Sequence, residues 1–126
     1  MITPRKSRKN QNVAYTLHFY AGTHGQSLRD DAALAMQKGI ALFVTEWGTC
    51  DSSGNGGFNP AATDVWLKFC KDNMLSMCNW AVNDKDQTVS IIKPGSNPKG
   101  GWTAVDYTES GTFVREKMRN WKITGK

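Results

Sequence analysis

Three strand-like runs alternate with two segments of helical period, and that order admits few architectures. The runs are VAYTLHFYA (13–21), IALFVTEW (40–47) and MLSMCNWAVN (74–83), rich in β-branched and aromatic residues. Between the first two, Leu28, Ala32, Ala35 and Met36 recur at helical spacing. Ser27 is the expected cap of that helix, Asp30 its first-turn acid, and Gly39 its left-handed stop. Between the second and third runs, Asn59-Pro60 opens a helix with proline at its first position. Ala62, Val65, Trp66, Phe69 and Cys70 form its apolar stripe, and Asn73 ends it. A β-like TVSII (88–92), a turn-rich KPGSNPKGG and a final helix over about 108–121 follow, with Val114, Met118 and Trp121 on one side of that helix. The order β-α-β-α-β-α predicts a parallel sheet with right-handed crossovers. IALFVTEW is nearly continuously apolar, as expected of a strand buried on both faces.

That second run ends in a bare carboxylate, Glu46, between Thr45 and Trp47. A charge at the end of a buried strand costs free energy unless it is paired or used. In parallel sheets, ligands gather at the C-terminal strand ends, which is where Glu46 falls. Side chains alternate along a strand, so His18 and Tyr20 share one face of the first run, and Glu46 is expected to share a face with Val44 and Leu42. Trp80 ends the third run, and Lys85 lies in the loop beyond. With the three strands as parallel neighbours, His18, Tyr20, Glu46 and Trp80 converge on one mouth. A carboxylate can attack a cationic centre, and a tyrosine or histidine can hold it ionised and aimed. A tryptophan face suits the C–H face of a sugar ring, and a lysine can donate to hydroxyls. There is no phosphate-binding glycine fingerprint and no convergent basic cluster, so the set reads as a sugar site. Taken singly, each residue has a structural reading too: a solvated strand end for Glu46, a satisfied histidine for His18, packing for Tyr20 and Trp80, and solvent exposure for Lys85.

The 126 residues suit one domain, and no apolar run approaches the ~20 residues of a membrane span. No membrane partner is expected, and no signal-peptide pattern occurs in the chain. The net charge of +5 invites a nucleic-acid reading but is local. Arg5, Lys6, Arg8 and Lys9 leave 12 basic residues against 11 acidic in the remainder. Residues 1–11 are expected to be a basic flexible tail, and nucleic acid is not the expected partner. The three cysteines lack ligand or disulfide spacing. Cys70 and Cys78 read as buried small hydrophobes and Cys50 as exposed. No metal or other cofactor is implied.

HFYAGTHGQ, LFVTEWGT, DSSGNGG and NWAVNDKDQ, in this order and spacing, resemble glycoside hydrolase family 5, most closely its bacterial endo-β-1,4-glucanases. GGWT and SGTFVREKMRNW add weaker matches, and the likeness runs from about Asn12 to Trp121. The resemblance implies a (β/α)8 TIM barrel that cleaves β-1,4-glucan with retention of configuration. Residues 12–126 would be its C-terminal portion, about three parallel βα units corresponding to strands six to eight. It also implies roles: Glu46 as nucleophile, Tyr20 as its hydrogen-bonding support, His18 lining the same site, Trp80 stacking on the sugar and Lys85 contacting its hydroxyls. The family is usually secreted. Where it often carries an acid two positions after that lysine, this chain has Gln87.

The family's acid/base glutamate follows an asparagine, and no Asn-Glu pair occurs in this chain. Retaining hydrolysis uses two carboxyl groups about 5–5.5 Å apart, one attacking and one protonating the leaving oxygen. Asp51, Asp84 and Asp86 lie in nearby loops, and none matches the family acid. A complete barrel takes about 250 residues. A three-stranded portion leaves sheet edges unpaired, so completion by a homo-oligomer or a complementary barrel fragment is expected. The expected function is hydrolysis of internal β-1,4-glucosidic bonds. The alternatives are a catalytically incomplete glucan-binding fragment, a self-associating barrel fragment, or nucleic-acid binding through the four residues of the basic tail.

Overall fold

A computed structural model describes residues 12–122, so the tail at 1–11 lies outside the described residues. The elements run β1 (Tyr15–Tyr20), α1 (Gln26–Gln37), β2 (Leu42–Gly48), α2 (Pro60–Asp72), β3 (Met77–Asn79), a 3-10 turn (Ala104–Asp106) and α3 (Glu109–Arg119). The sheet order is β1-β2-β3, and both pairings are parallel, as the alternating order predicts.

Local chemistry explains most boundaries. Asn59 caps α2 by accepting the Ala62 amide, with Pro60 in the first turn, and Asn73 closes the helix. Gly39 ends the α1 turn at φ +79°, a conformation that favours glycine. The cap at α1 differs from expectation. Gly25, not Ser27, precedes the helix, and no side chain caps it. Thr108 caps α3 by accepting the Gly111 amide. The third strand is much shorter than the run 74–83, because Met74 takes a left-handed turn and the chain leaves the sheet after Asn79. TVSII forms no strand. Val89, Ile91 and Ile92 are buried instead, and Ile92 makes an isolated bridge with Tyr107.

All three helices contribute to one core, α3 through Val114. Leu17, Phe19 and Ala21 of β1 and its end, with Val44 and Trp47 of β2, join Ala32 of α1 and Trp66, Leu67 and Cys70 of α2. Phe19 is sandwiched by indoles, with ring centroids 4.2 Å from Trp66 and 5.8 Å from Trp47. Within the α2 stripe, Val65 is half exposed, and Leu67 and Thr63 are buried in its stead.

The opposite sheet face is open, which corrects the expectation for IALFVTEW. Phe43 and Thr45 are exposed, as are Thr16 and His18 beside them. Glu46 does not share a face with Val44. The β1–β2 register steps from Thr16↔Phe43 to His18↔Glu46, so β2 holds one extra residue there. A bulge of this kind shifts the alternation and re-aims the side chains beyond it. It leaves Val44 and Trp47, three residues apart, fully buried on the helix side, with Glu46 turned toward the open face. Single-residue periodicity cannot see such an insertion. The cysteines differ as well: Cys70 is buried as expected, while Cys50 is buried and Cys78 exposed.

Candidate active site

The bulge sets Glu46 beside the two outward side chains of β1. The Tyr20 hydroxyl donates to Glu46 Oε1. His18 Nδ1 lies 3.8 Å from Glu46 Oε2, and its Nε2 hydrogen-bonds Thr45 Oγ1 at 2.9 Å. One carboxylate oxygen is thus held by a phenol, and the other is left facing the histidine and solvent. The Glu46 side chain keeps about a quarter of its surface exposed.

Tyr20 is fixed on several sides. Its ring lies against Cys50 and Val89 in a small buried cluster. Gly48, opposite Tyr20 in the register, makes room for it: a Cβ there would lie 2.5 Å from Tyr20 Cδ1. Burial raises the Tyr20 phenol well above its ordinary range, and the neighbouring Glu46 carboxylate adds to the rise through the hydrogen bond and its charge. The hydroxyl therefore stays protonated as a donor. Burial, helped by Asp51, likewise pushes the Cys50 thiol up to about 11, so it is a neutral packing group beside Tyr20 at neutral pH.

Trp80 leaves β3 at the same end of the sheet. Its amide donates to the Trp47 carbonyl at 2.8 Å, directly after Glu46 in the chain, and its side chain is about half exposed. The Asn79 side-chain amide donates to the same carbonyl, tying β3 to β2 at this point. Lys85 makes no hydrogen bond or ion pair with these residues. It lies exposed in the loop after β3, its backbone amide donates to Asn83 Oδ1, and its side chain makes no ion pair among the described residues. The structure thus brings His18, Tyr20 and Glu46 into contact and sets Trp80 one strand away.

Three contributors are invisible to motif reading alone. Thr45 partners His18, Gly48 clears space for the tyrosine ring, and His24 accepts the Tyr20 amide at Nδ1. The only sequence clue to the first two is their adjacency to Glu46 in VTEWG. Asp51 is held between two glycines of the loops beyond β1 and β2. A Cβ at Gly22 or Gly56 would come within 2.4 Å of its carboxylate. Among the described residues, no three His, Cys, Asp or Glu side chains gather as a metal site. No helix among them is long and apolar enough to cross a membrane.

A carboxylate held through one oxygen and partly exposed, with a half-exposed tryptophan one strand away, is chemically able to act as a nucleophile. The chain is 48% identical over 108 residues to Endoglucanase A of Evansella cellulosilytica, covering 86% of this chain and 22% of that protein. It is 50% identical over 111 residues to Endoglucanase Z of Dickeya dadantii, covering 88% of this chain and 24% of that one. It spans about a quarter of the length of these relatives. A solved structure from Cytophaga hutchinsonii superposes with a TM-score of 0.88 at 51% identity, over 90% of this chain and 37% of that one. The three parallel strands with their helices match a portion of that larger fold. A family profile described as cellulase (glycosyl hydrolase family 5) matches residues 1–86, which take in all three strands and Glu46 within β2, and the chain belongs to that family.

Proposed function

We propose that Glu46 is the nucleophile of a retaining hydrolysis of internal β-1,4-glucosidic bonds. The observation that carries this reading is the Tyr20 hydroxyl donating to Glu46 Oε1 on the open sheet face. With Oε1 occupied, Oε2 attacks the anomeric carbon. The new bond runs from Oε2 to that carbon, and the bond from the carbon to the leaving oxygen breaks. His18 borders the attacking oxygen, Trp80 stacks on the ring in the adjoining subsite, and Lys85 reaches its hydroxyls. The proton for the leaving oxygen comes from a carboxylic acid outside this chain, since no Asn-Glu pair occurs within it. General acid catalysis is typically worth ~10²–10⁴ in rate, so the chain alone should turn over unactivated glucan poorly.

An activated substrate isolates the nucleophile. A fluorinated cellobioside with a dinitrophenyl leaving group needs no acid, and its glycosyl–enzyme ester is long-lived. The parent chain should gain one glycosyl mass, mapped by peptide mass spectrometry to Glu46, and Glu46→Gln should gain none. Labelling elsewhere, or equal labelling of both proteins, overturns the assignment. Reducing-sugar release from carboxymethyl cellulose, run on the same pair, then reports whether the chain completes a catalytic cycle.

A second reading, glucan binding without turnover, is favoured by the missing Asn-Glu pair. It predicts binding of cello-oligosaccharides by both proteins and release of reducing sugar from carboxymethyl cellulose by neither. The open face and the free edges of β1 and β3 support a further element of the proposal. Residues 12–126 act as the C-terminal part of a barrel, completed by a second copy or a complementary fragment.

A further inference from the structure

We infer that His24 is a positioning residue for the Tyr20–Glu46 pair, acting through the Tyr20 backbone rather than on substrate. In a parallel sheet, successive residues turn their amide and carbonyl groups to opposite edges. The Ala21 amide donates to the Gly48 carbonyl of β2, so the polar backbone groups of Tyr20 face the free edge of β1. There they would be unpaired. His24 resolves both ends: its Nδ1 accepts the Tyr20 amide at 2.8 Å, and its own amide donates to the Tyr20 carbonyl at 2.8 Å. The Thr23 amide shares that carbonyl at 3.0 Å. The ring stands where a neighbouring strand would otherwise pair, and it closes the β1 edge at Tyr20.

The clamp is itself anchored. The buried Trp66 indole N–H donates to the His24 carbonyl at 2.7 Å, and Trp66 stacks on Phe19, the residue before Tyr20. Tyr20 is therefore held by its ring, its hydroxyl and its backbone, and His24 supplies the backbone hold. Loss of the Nδ1 acceptor frees the Tyr20 amide and lets the ring ride relative to Glu46. His24 does not contact the carboxylate, so its effect reaches the site only through Tyr20.

The functional half of this inference rests on Glu46 as nucleophile, and the test separates the two. Three proteins are compared: the parent, His24→Leu, which fills similar space without an acceptor, and His24→Asn, whose Oδ1 falls near the position of Nδ1. Hydrogen exchange of the Tyr20 amide, read by NMR, should accelerate about fivefold to tenfold in His24→Leu, the scale of one neutral hydrogen bond, and return toward the parent in His24→Asn. The rate of Glu46 labelling by the activated cellobioside should fall and recover in parallel. Unchanged Tyr20 exchange in His24→Leu overturns the positioning role. Changed exchange with unchanged labelling overturns its consequence for the site. If the parent itself is not labelled, the nucleophile reading fails, and amide exchange alone decides the structural claim. Should His24→Leu lose its cooperative melt, His24→Gln takes its place, because its longer side chain carries the acceptor past the amide.

Discussion

Replacing Tyr20 with phenylalanine should slow breakdown of the glycosyl–enzyme more than its formation. The ring would remain in place, since it packs on Cys50 and Val89 beside Gly48 and its hydroxyl alone meets Glu46. Fold stability should change by only about 0.5–1.5 kcal/mol, because Glu46 is partly exposed and water can replace the donor. The effect on rate is larger and asymmetric. During attack the carboxylate loses its charge, so the phenol's hydrogen bond weakens as the ester forms. Its removal costs aim in that step but relieves the carboxylate of a bond it must give up. During breakdown the carboxylate regains its charge, and the phenol stabilises it as it departs. A hydrogen bond to a charged group is worth about 1.5–3 kcal/mol, which corresponds to roughly 10- to 150-fold in the breakdown step. The assay is to form the adduct with the activated fluoro-sugar and remove excess reagent. Loss of the adduct is then followed by intact mass in azide, an anion that needs no base. Formation should change several-fold less than breakdown. Equal breakdown in the parent and Tyr20→Phe refutes the charge argument, and an adduct on any residue but Glu46 refutes the site.

Three other outcomes follow from the same geometry. Gly48→Ala drives a methyl into the Tyr20 ring, so it should cost about 1–3 kcal/mol, the usual range for overpacking, in thermal melts and should impair Glu46 labelling. Trp66→Ala empties the centre of the aromatic stack and removes the donor to His24, which should cost about 3–5 kcal/mol in a denaturant titration. The Tyr20 phenol titrates higher in the folded chain than in the unfolded one, so the folded state keeps its proton where the unfolded state loses it. That contribution to stability is complete below the ordinary tyrosine pKa of about 10 and is lost as pH rises beyond it. Melting temperature should therefore fall more steeply on the alkaline side in the parent than in Tyr20→Phe.

How much of this was legible in the sequence depended on how local the cause was. The βαβαβ order, the Asn59-Pro60 start of α2 and the Gly39 stop all follow from short-range patterns, and the parallel order suggested that His18, Tyr20 and Glu46 would lie at one end of the sheet. What failed was set at a distance. Strict alternation paired Glu46 with Val44, but a bulge against β1 separates them. An apolar run at IALFVTEW suggested two buried faces, while only one is covered by helices and Phe43 lies open. Cys50 and Cys78 exchanged expected environments, because burial of Cys50 comes from packing on Tyr20 and Val89, far along the chain. His24 was passed over because its role lies in a backbone hydrogen bond that no motif of side-chain chemistry describes.

The bulge and the histidine clamp act on the same contact from opposite sides. On β2, one extra residue turns Glu46 toward the open face and leaves Trp47 to anchor the strand in the core. On β1, the turn through His24 ties off the strand edge at the residue whose hydroxyl must meet that carboxylate. Both devices are built from residues between Thr16 and Trp66, and both lean on the Phe19–Trp66–Trp47 stack. The proposed nucleophile half of the site is thus specified by two adjacent strands and the helices behind them. The proposed acid/base partner enters from outside these contacts. Its arrival would change the protonation of the leaving group without first having to build the carboxylate that attacks. On that reasoning, supplying a complementary barrel fragment should raise turnover of unactivated glucan while leaving the rate of Glu46 labelling by an acid-independent substrate nearly constant. If labelling rose in step with turnover, the nucleophile half would not be self-contained.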